Sequence, residues 1–571
     1  MSKSLATPWI CSAEDFKALL HAHPEWRTWA LDTETDGLQV RGPSPPNSAK
    51  WVGLAPVTEP QPREVPILRM SEFEKVRPMV NALHLVGHNL RFDVHAAGLD
   101  PRHLWQDTLV AAYFGHMSGR KDMDFLAAQY GWPKIKTPDL IKQGRIGEVS
   151  DEDVAAYLAD DVLITVLLFK KMRERVYVPD TQVERAVWHM EQRGVRLLED
   201  RLAPIAWACA NQESTLTEEL RSCGFTGSLT APQQIGAWLQ ANGRRLPLTK
   251  TGKPSTDAKT VLQPLAERGD PFVRALLAYR KLNKLRTAFI DKLPGHSRKG
   301  VIYPSVRTTK GGGEGGTATG RFAYADPNLQ QIPARSDLGQ QLRRCFTSPY
   351  PGSGVTVADY SQVELRMATV LSGEPVLLEA FHQGRDPHAE TAAVMRGKPV
   401  DKITKEERFA AKAIVFGRLN GMGAPGVSRE LGCSKPEGQR WLDEYCRATP
   451  VLSEWMEDQW RQMEQTQVAQ TIAGRTRLFG GNEATRPGIS VVVQGSAAEI
   501  MRQAAVDADE ADMPVILVVH DEIVLGSRGY KDALQELMEE SARKVLTRCG
   551  IPDKIPFAAE GDEGETWGDC K

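Results

Sequence analysis

Cysteine pairing, long apolar runs and a large net charge are all missing from this chain of 571 residues. Each absence narrows what the chain can be. The eight cysteines stand at 11, 209, 223, 345, 433, 446, 549 and 570, with no Cys-x-x-Cys pair and no histidine interleaved at zinc spacing. They read as free thiols of a reducing compartment, which excludes a disulfide-stapled secreted scaffold. No segment approaches the roughly 18 to 20 continuous apolar residues of a membrane span, and the amino terminus has neither a signal-peptide core nor an Arg-rich presequence. A cytoplasmic protein without membrane contact is expected. The net charge of −2, from 71 Lys and Arg against 73 Asp and Glu, leaves the partner open, because both signs can still segregate into a basic groove and acidic sites. Hydrophobic content of 41% and charged content of 25% supply an ordinary globular core. The length calls for roughly three to five domains.

What is present is organised around carboxylates at strand ends. Val355, Thr356 and Val357 follow a Pro/Gly/Ser cluster and predict a buried strand with Asp359 at its carboxyl end, after which Val363, Met367 and Val370 take up helical spacing. Far along the chain Val515 to Val519 is a second apolar strand, His520-Asp521-Glu522 a tight turn, and Ile523 to Leu525 the return strand. Two adjacent acids at a hairpin tip beside another strand end repel one another unless cations share the site. Asp359 and Asp521 are therefore candidate metal ligands, with Glu522 as a secondary candidate.

A separate acid cluster lies near the amino terminus. Thr28 to Leu31 reads as a strand running into Asp32 and Glu34, which project to one side because they are two apart on an extended chain. The strand Leu83 to Val86 leads to Asp93, and Ser150 with Asp153 caps a helix that carries Tyr157 and Asp161 four apart on one face. In this order the pieces resemble the tyrosine variant of the DEDD exonuclease superfamily over about residues 25 to 175, with Asp107-Thr108 fitting a further strand end. The resemblance implies that Asp32, Glu34, Asp93 and Asp161 hold paired divalent ions, that Tyr157 orients the attacking water, and that the region is an active 3′ to 5′ exonuclease.

Between these clusters Pro179-Asp180 is expected to close the last helix of the first region. Long helices are predicted at 183–193, 199–221, 232–242 and 270–292, the last carrying a basic stripe of Lys281, Lys284, Arg286 and Lys292. A charge stripe is a solvated face as readily as a phosphate contact. Gly311 to Gly316 reads as a flexible connector, too irregular for a nucleotide-binding glycine fingerprint. In the 407–417 segment Arg408, Lys412 and Phe416 fall at i, i+4 and i+8, drifting only about 40° around a helix axis while rising roughly 12 Å. Two cations followed by an aromatic suit phosphates followed by a sugar and base.

The strings Thr317-Ala318-Thr319-Gly320-Arg321 and Asp326-Pro327-Asn328-Leu329-Gln330-Gln331, with Asp359-Tyr360-Ser361-Gln362-Val363-Glu364, resemble the DNA polymerase I family (family A) from about residue 180 onward. The segment Leu229 to Gln234 and the Tyr279 to Leu285 segment are similar to that family's thumb, which tilts the basic stripe toward DNA. The resemblance implies Mg²⁺ pairs at each active site, with Mn²⁺ able to substitute, acting on the primer hydroxyl and the departing pyrophosphate. It implies that Arg321, Arg486, Gln494 and His520 contact primer-template DNA. It also implies that His388, Arg408, Lys412, Phe416, Gln362 and Glu364 bind a deoxynucleoside triphosphate, with Glu364 excluding the 2′ hydroxyl. Phe416 in place of Tyr implies discrimination against sugars lacking the 3′ hydroxyl.

The expected architecture is a multidomain α/β and α+β protein. It has an RNase H-like exonuclease at 1–178, a helical thumb at 179–300, a palm at 301–385 and 471–571, and helical fingers at 386–470, forming a right-hand polymerase. A monomeric, proofreading, template-directed DNA polymerase of DNA replication is expected, acting without partners that the sequence can name. The alternative is a nuclease whose larger part only grips DNA. No 5′ nuclease region fits before residue 25, so a phage replicative or truncated form is expected. Two positions depart from the family: Asn420 stands where Tyr is usual, and Ser490 where Asn is usual. These read either as lineage drift or as altered base selection, as in a virus with a modified base.

Overall fold

The computed structural model describes residues 5–101, 104–173, 178–249, 251–310, 316–480 and 483–570. They fall into two compact units, the larger comprising Met1–Val195, Tyr303–Gln330 and Ser348–Glu563. Of the Gly311 to Gly316 connector, 311–315 lie outside the described residues.

The amino-terminal part of the larger unit is a six-stranded sheet. Its strands are β1 (Thr7–Ile10), β2 (Thr28–Thr35), β3 (Ala49–Pro56), β4 (Glu64–Arg69), β5 (His84–Gly87) and β6 (Leu104–Asp107), in the order 1-4-3-2-5-6. β2 pairs antiparallel with β3 and parallel with β5. Successive side chains of a strand point to opposite faces, so Trp29 and Leu31 enter one core with Phe16, Leu54 and Leu85. Ala30 enters the other, with Leu158 and Val162. Asp32 and Glu34 share the face of Ala30. Beyond β5 comes helix α1 (Leu90–Ala97), and the sheet face of Ala30 is covered by helix α2 (Asp151–Met172), whose cap is the predicted Ser150 hydroxyl accepting from Asp153 N at 3.1 Å. Gly53 stands opposite Asp32 in the β2/β3 register. A Cβ there would come within 2.7 Å of the Val162 side chain and 2.9 Å of Leu158. That absence of a side chain lets α2 approach the acids.

Pro179-Asp180 does not close a helix. It lies in the first turn of helix α3 (Val178–Arg193), where a proline costs no intrahelical hydrogen bond. The carboxylates of α3 are buried and paired across the larger unit: Asp180 with Arg475 and Arg502, Glu184 with Arg91, and Glu191 with Arg91 and Arg41. Removing one partner of such a pair strands a buried charge. These pairs therefore hold α3 to the amino-terminal part on one side and to the carboxyl-terminal part on the other.

The carboxyl-terminal part is built on strands β7 (Val355–Tyr360), β8 (Val515–Val519), β9 (Glu522–Leu525) and β10 (Ala559–Gly564), in the order 8-9-7-10. The β8/β9 and β7/β9 pairs are antiparallel, as expected for a palm. Around it lie helices α4 (Val363–Ser372), α5 (Pro387–Arg396), α6 (Lys405–Leu419), α7 (Pro450–Thr466) and α8 (Ser496–Glu510).

The smaller unit comprises Arg196–Ile302, Gln331–Thr347 and Gly564–Lys571. Its helices Glu199–Ser222, Pro232–Ala241 and Pro271–Leu285 pack through Leu220, Phe225, Ile235, Leu239, Phe272 and Leu276. Three lysines of the basic stripe are exposed, but Arg286 is drawn onto Glu213, Nε to Oε2 at 2.8 Å. Among the described residues no helix is long and apolar enough to cross a membrane.

Candidate active sites

The first acid cluster assembles from three elements. β2 supplies Asp32 and Glu34, α1 supplies Asp93, and α2 supplies Tyr157 and Asp161. Asp93 Oδ1 accepts from Thr33 N at 3.0 Å and from its hydroxyl at 2.7 Å, which locks α1 to the strand between the two β2 acids. Asp107 caps the following helix through Leu109 N and also accepts from Asn89 N and Leu90 N, so it fixes the entry of α1.

Burial and mutual repulsion push these carboxylic acids upward. Burial, then Asp161 and Asp93, raise Glu34 to about 8; burial, opposed by the Thr33 bonds, raises Asp93 to about 8. Asp32 is raised well above the carboxylate range by burial and by Asp93, Asp161 and Glu34. Asp161 goes only to about 6, because Lys134 offsets its burial. Lys134 is the residue that sequence reading missed. Its ammonium lies 2.8 Å from Asp161, 3.0 Å from Asp124 and 4.8 Å from the Tyr157 ring centre. Tyr157 in turn accepts from the Thr137 hydroxyl at 3.2 Å.

The second acid centre forms where β7 meets the β8/β9 hairpin. Asp359 is directly opposite Glu522 in the β7/β9 register, and Tyr360 N donates to Asp521 O at 3.0 Å. The two aspartates thus flank one backbone hydrogen bond despite their separation in sequence. His520, exposed at the tip, takes a left-handed φ of 58°, which turns the hairpin tightly enough to present Asp521. Arg321 Nη2 reaches Asp521 at 3.2 Å and Glu364 at 2.6 Å, and Gln494 Nε2 donates to the same Glu364 oxygen at 3.0 Å. Burial raises the Asp521 carboxyl, with Arg321 opposing and Glu364 reinforcing. Arg321 and Gln494, expected on DNA, are in this state engaged with Glu364.

Arg408, Lys412 and Phe416 all lie on α6, whose Thr404 and Glu407 form a capping box. Arg408 pairs with Asp386, the cap of α5. His388 is buried, its ring centre 5.7 Å from that of Phe416, and its Nε2 has no hydrogen-bond partner among the described residues. Burial, with Lys412 and Arg408, lowers His388 to about 4, so it is a neutral donor rather than a third cation. Gln362 has a left-handed φ of 55° at the start of α4, and its Oε1 is likewise buried without a partner. His388 Nε2, near Phe416 of the cationic helix, and Gln362 Oε1 each keep hydrogen-bonding capacity for a ligand.

Residues 203–569 match DNA polymerase family A. The chain belongs to DNA polymerase family A. Residues 9–177 also match the 3′-5′ exonuclease family. Among family A relatives, the chain is 31% identical to DNA polymerase I of Pseudomonas aeruginosa over 84% of its own length and 56% of that protein's. It is 33% identical to the thermostable DNA polymerase I of Thermus aquaticus over 76% of its length and 54% of the relative's. The chain thus spans about half the length of the curated relatives it matches. Its fold is that of a solved structure described as the POL domain of Pol1 from M. smegmatis in complex with DNA primer-template and dNTP, with a TM-score of 0.83, 23% identity, and coverage of 98% of this chain and 99% of the other.

Family A polymerase and exonuclease domains generally use divalent metals. Among the described residues, no three His, Cys, Asp or Glu side chains already close around one point as a cation cage. The donor chemistry nonetheless fits: both centres offer carboxylate oxygens, which hard divalent cations prefer, and their raised acids call for positive charge. Asn420 lies at a helix end. α6 stops at Leu419, Asn420 Nδ2 donates to Phe416 O at 2.8 Å, and Gly421 follows with φ of 80°. Ser490 is exposed, and its hydroxyl donates to Pro487 O at 2.7 Å.

Proposed function

We propose that this chain is a template-directed DNA polymerase with a proofreading 3′ to 5′ exonuclease, using primer-template DNA and deoxynucleoside triphosphates. The observation that carries the reading is that Asp359 and Asp521 come to neighbouring positions where β7 meets the β8/β9 hairpin, with Arg321 joining Asp521 to Glu364, within the region matched to family A. Asp359 and Asp521 would hold Mg²⁺, as Asp32, Glu34, Asp93 and Asp161 would at the nuclease centre. Bound there, the metal supplies a lowered pKa for the attacking oxygen and neutralises the leaving one. Mn²⁺, with the same preference for oxygen donors, could replace it.

The chain's own residues do the rest. Arg408 and Lys412 meet phosphate oxygens, and Phe416 packs on the sugar and base. His388 Nε2 and Gln362 Oε1 regain partners on the nucleotide. Glu364, held by Arg321 and Gln494, fills the space of a 2′ hydroxyl. When Arg321 turns toward the primer terminus it leaves both acids, which frees Asp521 for its cation, while Gln494 still holds Glu364. At the other centre Tyr157 positions water against the scissile phosphate. The proposed limbs are an exonuclease at 1–178, a thumb at 179–300, fingers at 386–470 and palm segments around them. A monomer of the cytoplasm acting in replication completes the reading.

The test is extension of a labelled primer with Mg²⁺ and each triphosphate separately. Templated growth supports the proposal. Shortening alone would favour a nuclease that merely grips DNA.

A further inference from the structure

The end of α6, at Leu419 and Asn420, is braced by a residue from another helix. Trp460 of α7 is buried, and the guanidinium carbons of Arg418 and Arg486 lie 4.6 and 4.7 Å from its ring centre. Its indole N–H donates to Arg486 O at 3.1 Å. Gly421 is backed against that same carbonyl: a Cβ there would come within 2.9 Å of it, and φ is already 80°. Glu457, one turn before Trp460, places one oxygen 3.4 Å from Arg418 and the other 4.0 Å from Arg486. Two cations thus share one aromatic ring because a carboxylate stands between them. Arg418 is buried, whereas the Arg486 side chain is half-exposed.

We infer that Trp460, with Arg418 and Glu457, is a positioning station that fixes Arg486 for the template strand and ties it to the carboxyl end of α6. This rests on the reading of Arg486 as a DNA contact. The backbone of Arg486 is held by the indole N–H and by Gly421, and its side chain lies over the ring, so only the guanidinium tip is left for DNA. Because Arg418 belongs to α6, the ring joins that helix to Arg486.

A double-mutant cycle in the full chain tests it, with equilibrium binding of primer-template across a salt series. Trp460→Leu and Arg486→Ala should each raise Kd about 5- to 10-fold, and the double variant should be within about twofold of either, because the two changes remove one interaction. Each should also lower the slope of log Kd against log salt by about one, which general weakening of the fold does not do. Should Trp460→Leu not fold, Trp460→Phe keeps the ring and loses the N–H donor; about a 2- to 3-fold rise is expected, again non-additive with Arg486→Ala. Multiplying effects in the double variant, or an unchanged Kd in either Trp460 variant that folds, would overturn the station. An unchanged Kd in Arg486→Ala overturns it too, while wild-type primer extension would still uphold the polymerase reading. A wild type that neither binds nor extends primer-template overturns both.

Discussion

At the nuclease centre four carboxylic acids from a strand and two helices crowd into a space whose compensating cation is a lysine, Lys134, 2.8 Å from Asp161. At the palm centre the acids sit at strand ends and the compensating cation is an arginine, Arg321, bridging Asp521 and Glu364. Lysine offers a compact point charge, whereas the planar arginine fork can hold two carboxylates and still reorient onto a nucleic-acid edge. The nuclease centre therefore keeps its cation as part of a fixed wall, and the palm centre carries one that can leave when DNA arrives.

The comparison breaks first at Arg321. Arg321→Ala should lower kcat/KM for primer extension about 100-fold while shortening of single-stranded DNA is unchanged, since the loss is confined to one centre. Comparable loss of both activities in single-turnover assays would mean that the two cations are not separate devices. Next, Glu364→Ala should raise ribonucleotide incorporation about 30-fold, and Gln494→Ala should move it the same way by less, because Gln494 only holds the glutamate in place. Competition between ribo- and deoxynucleotides measures both.

Lys134→Met sharpens the other half. Without the ammonium, Asp161 and its neighbours hold their protons to higher pH, so the acid limb of the nuclease pH-rate profile should move up by about one unit. The extension profile should not move. The smallest effect is on stability. Glu34 titrates at about 8 in the folded chain, above its ordinary value, so the native state retains a proton that the unfolded chain releases. Stability without metal should therefore fall as pH rises through the window from about 4.5 to 8, with the loss fully present above it. Glu34→Gln removes that loss: in chelated protein its Tm should exceed wild type by about 2–4 °C at pH 8.5 and match it at pH 4. Calorimetry at the two pH values decides it.

Most of the acids were legible in the sequence because they sit at or near a change of period, from strand to turn or helix, where few residues need to be read at once, and Asp161, in mid-helix, was legible from its spacing of four from Tyr157. The same holds for the row on α6, a local helical spacing. Lys134 was not legible. It lies in an aperiodic stretch, and its partners Asp124 and Asp161 meet it only through the fold. Trp460 drew no reading from the sequence, since nothing nearby in the chain announces Arg418 or Arg486. Arg286 read as one of a cationic stripe because Glu213 lies on a different helix. Pro179 was read as a stop, although the buried pairing of Asp180 with Arg475 and Arg502 makes it a start. In each miss, a side chain's partner lay far along the chain, where local pattern carries no signal.

The most direct test of two separate acid centres in one chain is a single assay on a labelled primer-template with Mg²⁺ and all four deoxynucleotides. It compares Asp521→Asn with the Asp32→Ala, Glu34→Ala double variant. The account predicts that the first only shortens the primer and the second only lengthens it. Loss of both activities in either variant, or extension that survives Asp521→Asn, would contradict it.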